Sequence, residues 1–304
     1  MLRHAWVLIG GAVLAGLVVL APSAEAQVRV HEIDPAAADP AIKAFREPHV
    51  AIYAPNAAAD APLVLFMPGT GGKPSNAIGL LRTVAEGGRP VIGLEYIDDP
   101  AVVAVCSRNS DPACSADFRQ MRIYGTGPFR AETNTPADSI EGRLASLLVK
   151  LDKDYPGEGW GRYLAAGRPD WSRIVVSGQS QGAGMAAYIA KAHLTARVVL
   201  FSSPWDFMPP GQTLAPWLST PSATPPERWF AAYNRREATA ALLAESYRRL
   251  GIPPEHIRAL GLDLPPGANP NGKNPYHGQG IHDPRYRPEW LFLYGLNEQH
   301  LTNQ

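Results

Sequence analysis

A β-branched apolar run, Ile174-Val175-Val176, passes through Ser177 directly into Gly178-Gln179-Ser180-Gln181-Gly182. Small residues follow: Ala183, Gly184, Ala186 and Ala187. This order predicts a buried strand, a sharp turn with G-x-S-x-G at its tip, and a helix that can approach a sheet closely. The glycines are what such a turn requires. The residue at its tip has strained backbone dihedrals, and side chains two residues before and after it would collide. The turn lifts the Ser180 hydroxyl out of the sheet edge. It also sets the Gln181 N–H at a helix N-terminus, where partial positive charge can meet an oxyanion. The pentad alone is weak evidence, but its place between a buried strand and a helix gives it weight.

Strands and helices alternate around this junction. Strands are expected over residues 49–54, 63–67, 91–96, 174–177, 197–201, 229–233 and 257–262. Helices are expected over 76–85, 135–155, 182–193, 238–250 and 288–304. The run 63–67 is apolar throughout and stands between Pro62 and Pro68, as a strand buried on both faces reads. Within 135–155, Ile140, Leu144, Leu147, Leu148 and Leu151 recur at three- and four-residue steps, and Asp138 and Glu141 suit a helix start. Residues 27–47 read as an irregular lead-in, and 206–226 and 264–282 as long loops. Alternation of this kind implies an α/β architecture, a mostly parallel central sheet with helices on both faces. Of 304 residues, 45% are hydrophobic and 18% charged, which is enough apolar material for a large core. No repeat or linker divides the chain. Residues 27–304 are therefore expected to form one domain, with the long loops serving function.

Arg3 and His4 precede an apolar run over 6–21, and Ala24-Glu25-Ala26 follows. This is the order of a secretory signal, cleaved after Ala26. The run is short for a membrane span, which needs about 20 residues. No other stretch approaches that length, so no stable span is expected after cleavage, and the protein is expected to be secreted or periplasmic. In an oxidising compartment Cys106 and Cys114, set in a polar stretch, are expected to form a disulfide. They have no histidine at ligand spacing and H-E-x-x-H is absent, so no metal is expected. Lys+Arg and Asp+Glu both number 28, a balance that argues against a nucleic-acid partner.

With the pentad in this context, the sequence resembles the α/β-hydrolase superfamily, and within it secreted esterase- or lipase-like serine hydrolases. The resemblance covers most of the chain after residue 26 in the order of its parts and is most specific over 174–187. It implies an α/β-hydrolase fold, a Ser–acid–His triad in that chain order and an oxyanion hole of two backbone N–H groups. Ser180 would be the nucleophile and Gln181 one oxyanion donor. The second donor would come from the loop after 63–67, Pro68-Gly69-Thr70-Gly71-Gly72, with Thr70 and Gly71 as candidates. Lipase-like relatives often carry histidine where Pro68 stands. A phosphate-loop reading of Gly72-Lys73 fails, because Pro74 replaces the Ser/Thr and Met67 the glycine that such a loop needs.

The histidine should lie in the loop after the last strand, which offers His277, flanked by Tyr276 and Gly278, and His282 as the alternative. Two carboxylates compete for the acid. Glu237 follows the strand at 229–233 and could instead cap the next helix; Asp206 follows the strand at 197–201. The resulting expectation is a secreted serine hydrolase that cleaves carboxylic esters through an acyl-enzyme, with no metal or organic cofactor and a small-molecule or lipid-like ester as substrate. Two alternatives stay open: an acyltransferase with the same triad, and a catalytically inactive binding module on the same fold. Trp205, Phe207, Met208, Leu214 and Trp217 are candidates for an apolar acyl or aromatic site.

Overall fold

The computed structural model describes Met1 and residues 27–209 and 213–296. The expected export signal lies, apart from Met1, outside the described residues. Eight strands form one sheet: β1 (Arg29–Ile33), β2 (His49–Tyr53), β3 (Leu63–Met67), β4 (Val91–Gly93), β5 (Ile174–Gln179), β6 (Arg197–Phe201), β7 (Trp229–Asn234) and β8 (Ile257–Leu260). Their order is β1-β2-β4-β3-β5-β6-β7-β8. β2 runs antiparallel to both β1 and β4, and all other pairs are parallel. The helices are α1 (Ile78–Glu86), α2 (Val102–Cys106), α3 (Cys114–Tyr124), α4 (Ile140–Asp154), α5 (Gln181–Ala192), α6 (Ala240–Arg249), α7 (Gln279–His282) and α8 (Arg287–Tyr294).

Strand side chains alternate between two apolar layers, as the period of two demands. Leu63, Leu65 and Met67 of β3 join Ile174 and Val176 of β5 on one face, under α4, α5 and α6. Val64, Phe66 and Val175 point to the other, where α1 and α8 supply Leu80, Val84, Trp290 and Leu293. The central strands are therefore apolar at nearly every position. This is the mostly parallel, doubly covered sheet that the sequence implies.

Several boundaries move, each for a physical reason. The lead-in 27–47 is not irregular throughout: β1 pairs with β2 from Arg29↔Tyr53 to Ile33↔His49, and one helical turn follows at Pro35–Ala38. β1 is an edge strand, and its polar residues are tied down: His31 Nε2 lies 3.0 Å from the buried Glu158 carboxylate and Arg29 Nε 3.2 Å. β4 stops at Gly93. Leu94 N still bonds Phe66 O, but Glu95 N then turns to His49 Nδ1 at 3.0 Å.

The cysteine stretch is bounded by helices, with Cys106 ending α2 and Cys114 opening α3. The expected disulfide joins them, Cα to Cα 5.7 Å. α3 gives no clear amphipathic signal because Arg119 and Arg122 sit on its inward face beside Phe118, Met121 and Ile123. The helix expected over 135–155 begins at Ile140, where Ser139 Oγ caps it by accepting from Gly142 N at 3.0 Å. Asp138 instead pairs with Arg143 at 2.9 Å. At the other end of the chain, α8 closes on Gly295 in the left-handed region, φ 66. Residues 297–304 of the helix expected there lie outside the described residues.

Candidate active site

β5 ends at Gln179 and α5 begins at Gln181, which leaves Ser180 alone in the turn with φ 52 and ψ −119. A non-glycine residue there is strained, and strain of this kind persists only where neighbours over-determine it. Gly178 and Gly182 are those neighbours. A Cβ on Gly182 would sit 2.1 Å from Met67 O, and one on Gly178 2.5 Å from Gly182 C and 2.6 Å from Met67 O. The two glycines thus let the turn close on itself and on the end of β3. Ser180 N donates to Phe201 O at 2.9 Å, which fixes the turn to β6. Gln181 opens a twelve-residue helix, so its N–H has no partner within that helix.

The loop after β3 lies against the same turn. A Cβ on Gly69 would meet Gln179 Oε1 at 2.3 Å and Ser180 Cβ at 2.9 Å, so only glycine fits there. Tyr96 Oη braces the loop by donating to Pro68 O at 2.9 Å. Gly72 N closes the loop on itself by donating to Gly69 O at 2.8 Å, and the buried Asp98 carboxyl lies near this turn. Burial raises the pKa of that carboxyl to about 6, and the Gly71 amide pulls it back. Thr70 lines a cavity with Ser180 and Gln181. Of the two donor candidates in this loop, Thr70 is the one that lines the cavity at the serine.

The acid and the histidine meet from separate loops. Glu237 follows the end of β7, its side chain wholly buried, and its Oε2 lies 2.7 Å from His277 Nδ1. Its Oε1 accepts from Ser202 Oγ at 2.6 Å and from Asn234 N at 2.8 Å. With Oε2 accepting a hydrogen bond from Nδ1–H, the other ring nitrogen, Nε2, is left free to act as an acceptor. The His277 side chain keeps 23% of its exposure, unlike the wholly buried Glu237. The loop carrying His277 is pinned. Gln179 Nε2 donates to His277 O at 3.2 Å, Gln279 Oε1 accepts from Asn234 Nδ2 at 2.7 Å, and Gln279 Nε2 donates to Asp263 O at 2.9 Å. Arg236 adds an ion pair with Asp263 and a hydrogen bond to Tyr276 Oη at 3.1 Å.

The two alternatives are engaged elsewhere. His282 donates from Nδ1 to Asn76 O at 3.1 Å, and burial holds its pKa below the usual value. Asp206 is not with the histidine: both its oxygens take Arg119, at 2.6 and 2.8 Å, and Trp217 Nε1 donates to it at 2.9 Å. Removing one member of such a buried pair costs about 3–5 kcal/mol. Arg119 and Asp206 lie with Trp205 along the cavity at Ser180, whose volume is about 30 Å³. Of the five expected acyl-site residues, Trp205 lines this cavity; Leu214 and Trp217 are buried in the core behind it, and Phe207 and Met208 are half-buried. Ser202, Asn234, Gln279 and Arg119 were missed. Ser202 had a signal, a hydroxyl directly after an apolar strand.

A mostly parallel sheet with helices on both faces and a strained serine at the strand-to-helix turn of a central strand defines the α/β-hydrolase fold, and this chain has it. No protein-family model matches the sequence, and no curated protein matches it. Solved structures similar to it include esterase B from Lactobacillus rhamnosis, with 13% identity over 92% of this chain and 90% of that one and a TM-score of 0.47. A bacterial heroin esterase is 18% identical over 90% of this chain and 86% of its own, with a TM-score of 0.45. An S-formylglutathione hydrolase from Agrobacterium tumefaciens is 12% identical over 88% and 93%, TM-score 0.45.

Proposed function

We propose that the protein is a serine hydrolase of carboxylic esters. Ser180 is the nucleophile, His277 the general base, Glu237 the residue that orients and stabilises the imidazolium, and the amides of Gln181 and Thr70 the oxyanion hole. The observation that carries this reading is the 2.7 Å contact between His277 Nδ1 and a fully buried Glu237, on a loop that Gln179, the residue before the strained serine, holds through His277 O. In acylation, Ser180 Oγ bonds to the ester carbonyl carbon while its proton passes to His277 Nε2. The oxyanion takes the two amide hydrogens. Collapse expels the alcohol, which leaves with the proton from Nε2. Water then attacks the acyl-enzyme, giving its proton to Nε2, and the acid is released as Ser180 recovers its proton.

A radiolabelled or fluorescent fluorophosphonate tests this directly. The reading expects covalent labelling of the parent and none of Ser180→Ala, with ester hydrolysis lost in parallel. A folded parent that stays unlabelled would point instead to a binding module. We infer export as well, supported by the Cys106–Cys114 bond, which suits an oxidising compartment. No described helix is long and apolar enough to cross a membrane. Expression from the full gene, followed by N-terminal sequencing of the mature protein, is expected to find Gln27 first.

A further inference from the structure

The cavity beside Ser180 is small, and its position says which half of a substrate enters it. Thr70, Ser180 and Gln181 line it, and no residue of the histidine loop does. The leaving alcohol takes its proton from His277 and so lies on the histidine side. The acyl group stays bonded to Ser180 and must project the other way, into this cavity. A single water needs about 10–15 Å³ of such space. The cavity opens to solvent on one side, and the 30 Å³ within its walls has room for about two heavy atoms.

Its walls are fixed. Val102 and Val103 close one side, and the Val102 amide is held by Gln181 Oε1 at 3.1 Å. The helix they start is bonded to α3 through Cys106 and Cys114. Trp205 stands among the lining residues with the Arg119–Asp206 pair, which Trp217 holds from behind. Arg119 itself is wedged against α5: a Cβ on Gly184 would come within 2.3 Å of its guanidinium. A longer alkyl chain that follows these walls inward would reach the buried Arg119–Asp206 pair.

We propose, resting on the serine-hydrolase reading above, that the enzyme selects esters of short acids, acetyl and propionyl, with Val102, Val103 and Trp205 setting the limit above a floor made by Arg119 and Asp206. The test is a kcat/KM series on p-nitrophenyl acetate, propionate, butyrate, hexanoate and octanoate, run beside labelling rates for methyl- and octyl-fluorophosphonate. A pocket discriminates by about tenfold or more per methylene it cannot hold. The parent is therefore expected to fall by at least about tenfold between propionate and butyrate and again by hexanoate.

Val102→Ala with Val103→Ala is expected to raise the hexanoate-to-acetate ratio by about tenfold. Trp205→Ala, on a separate element, should move it the same way. A parent profile that stays flat or rises with chain length overturns the proposal, as do folded wall variants that leave the ratio unmoved. The two levels separate cleanly. Equal labelling by both fluorophosphonates removes only the size limit, whereas no labelling by either removes the serine-hydrolase reading and the proposal with it.

Discussion

The two halves of the candidate site are built by different means. The nucleophile half is continuous in sequence, and backbone sterics make it: Gly178, Ser180 and Gly182 lie within five residues, and their spacing is fixed by what would collide. The acid–base half is assembled from loops, with Glu237 and His277 forty residues apart and joined by side-chain hydrogen bonds to Ser202, Asn234, Gln179 and Gln279. Altering the glycines of the first half should therefore disturb folding, and altering the second half should disturb chemistry.

Gly182→Ala probes the first half at its tightest point. The added Cβ meets backbone, Met67 O at 2.1 Å, which cannot swing away as a side chain would. The expected outcome is loss of folded protein or destabilisation by more than about 4 kcal/mol, read from denaturant unfolding. A stable, active variant would break the contrast.

Glu237→Gln probes the second. It preserves size and an oxygen for Ser202 Oγ and Asn234 N. In the proposed mechanism it removes the charge that would stabilise the imidazolium and fix its tautomer. Activity near neutral pH is expected to fall by about 10⁴-fold. The variant should still fold, and circular dichroism beside the rate assay checks both parts. Asp206→Asn should do the reverse, lowering stability through the Arg119 pair while touching neither His277 nor Glu237.

This contrast also explains what the sequence revealed. The elbow, the apolar central strands and the covering of both sheet faces follow from local sterics and periodicity, so they could be read without a structure. Which carboxylate faces the histidine could not. Glu237 and Asp206 both follow strand ends, and only tertiary contacts separate them: Glu237 meets His277, while Asp206 is taken by Arg119 and Trp217. Arg119 itself hid α3, because a charged residue on an inward face erases the helical apolar stripe. β1 was hidden for a related reason, since its polar side chains are satisfied by a distant partner, Glu158. Where buried polar groups depend on tertiary partners, composition and spacing carry no trace of them.

Beneath the nucleophile half lies a second group of buried acids, and it gives that half a pH signature. Burial, helped by Asp98 and opposed by Arg143, pushes Glu95 up to about 8, and Asp98 stands at about 6. Unfolded, both carboxyls ionise near their ordinary values of 4.5 and 3.8. Between those values and the raised ones the folded state binds more protons, so stability falls as pH rises. The slope is expected to approach about 1.4 kcal/mol per pH unit at most for each group. Glu95→Gln should flatten the decline between pH 5 and 8 in urea unfolding. An unchanged slope would remove Glu95 as its source.

The smallest expected effect falls where the two kinds of construction meet. The Cys106–Cys114 bond closes a short loop, and the chain-entropy account puts its contribution at about 2.5 kcal/mol. Replacing both cysteines with serine should lower stability by roughly that amount in urea unfolding. The bond also ties α2, which carries Val102 and Val103, to α3, which carries Arg119. If the elbow stands on sterics alone, fluorophosphonate labelling of Ser180 should survive the loss of the bond. The acyl-chain profile should broaden, because one wall of the cavity is freed from the other. A large drop in stability with no change in chain-length preference would show that the bond holds the fold and not the pocket. The nucleophile half would then owe its shape to the glycines and the Gln181–Val102 contact.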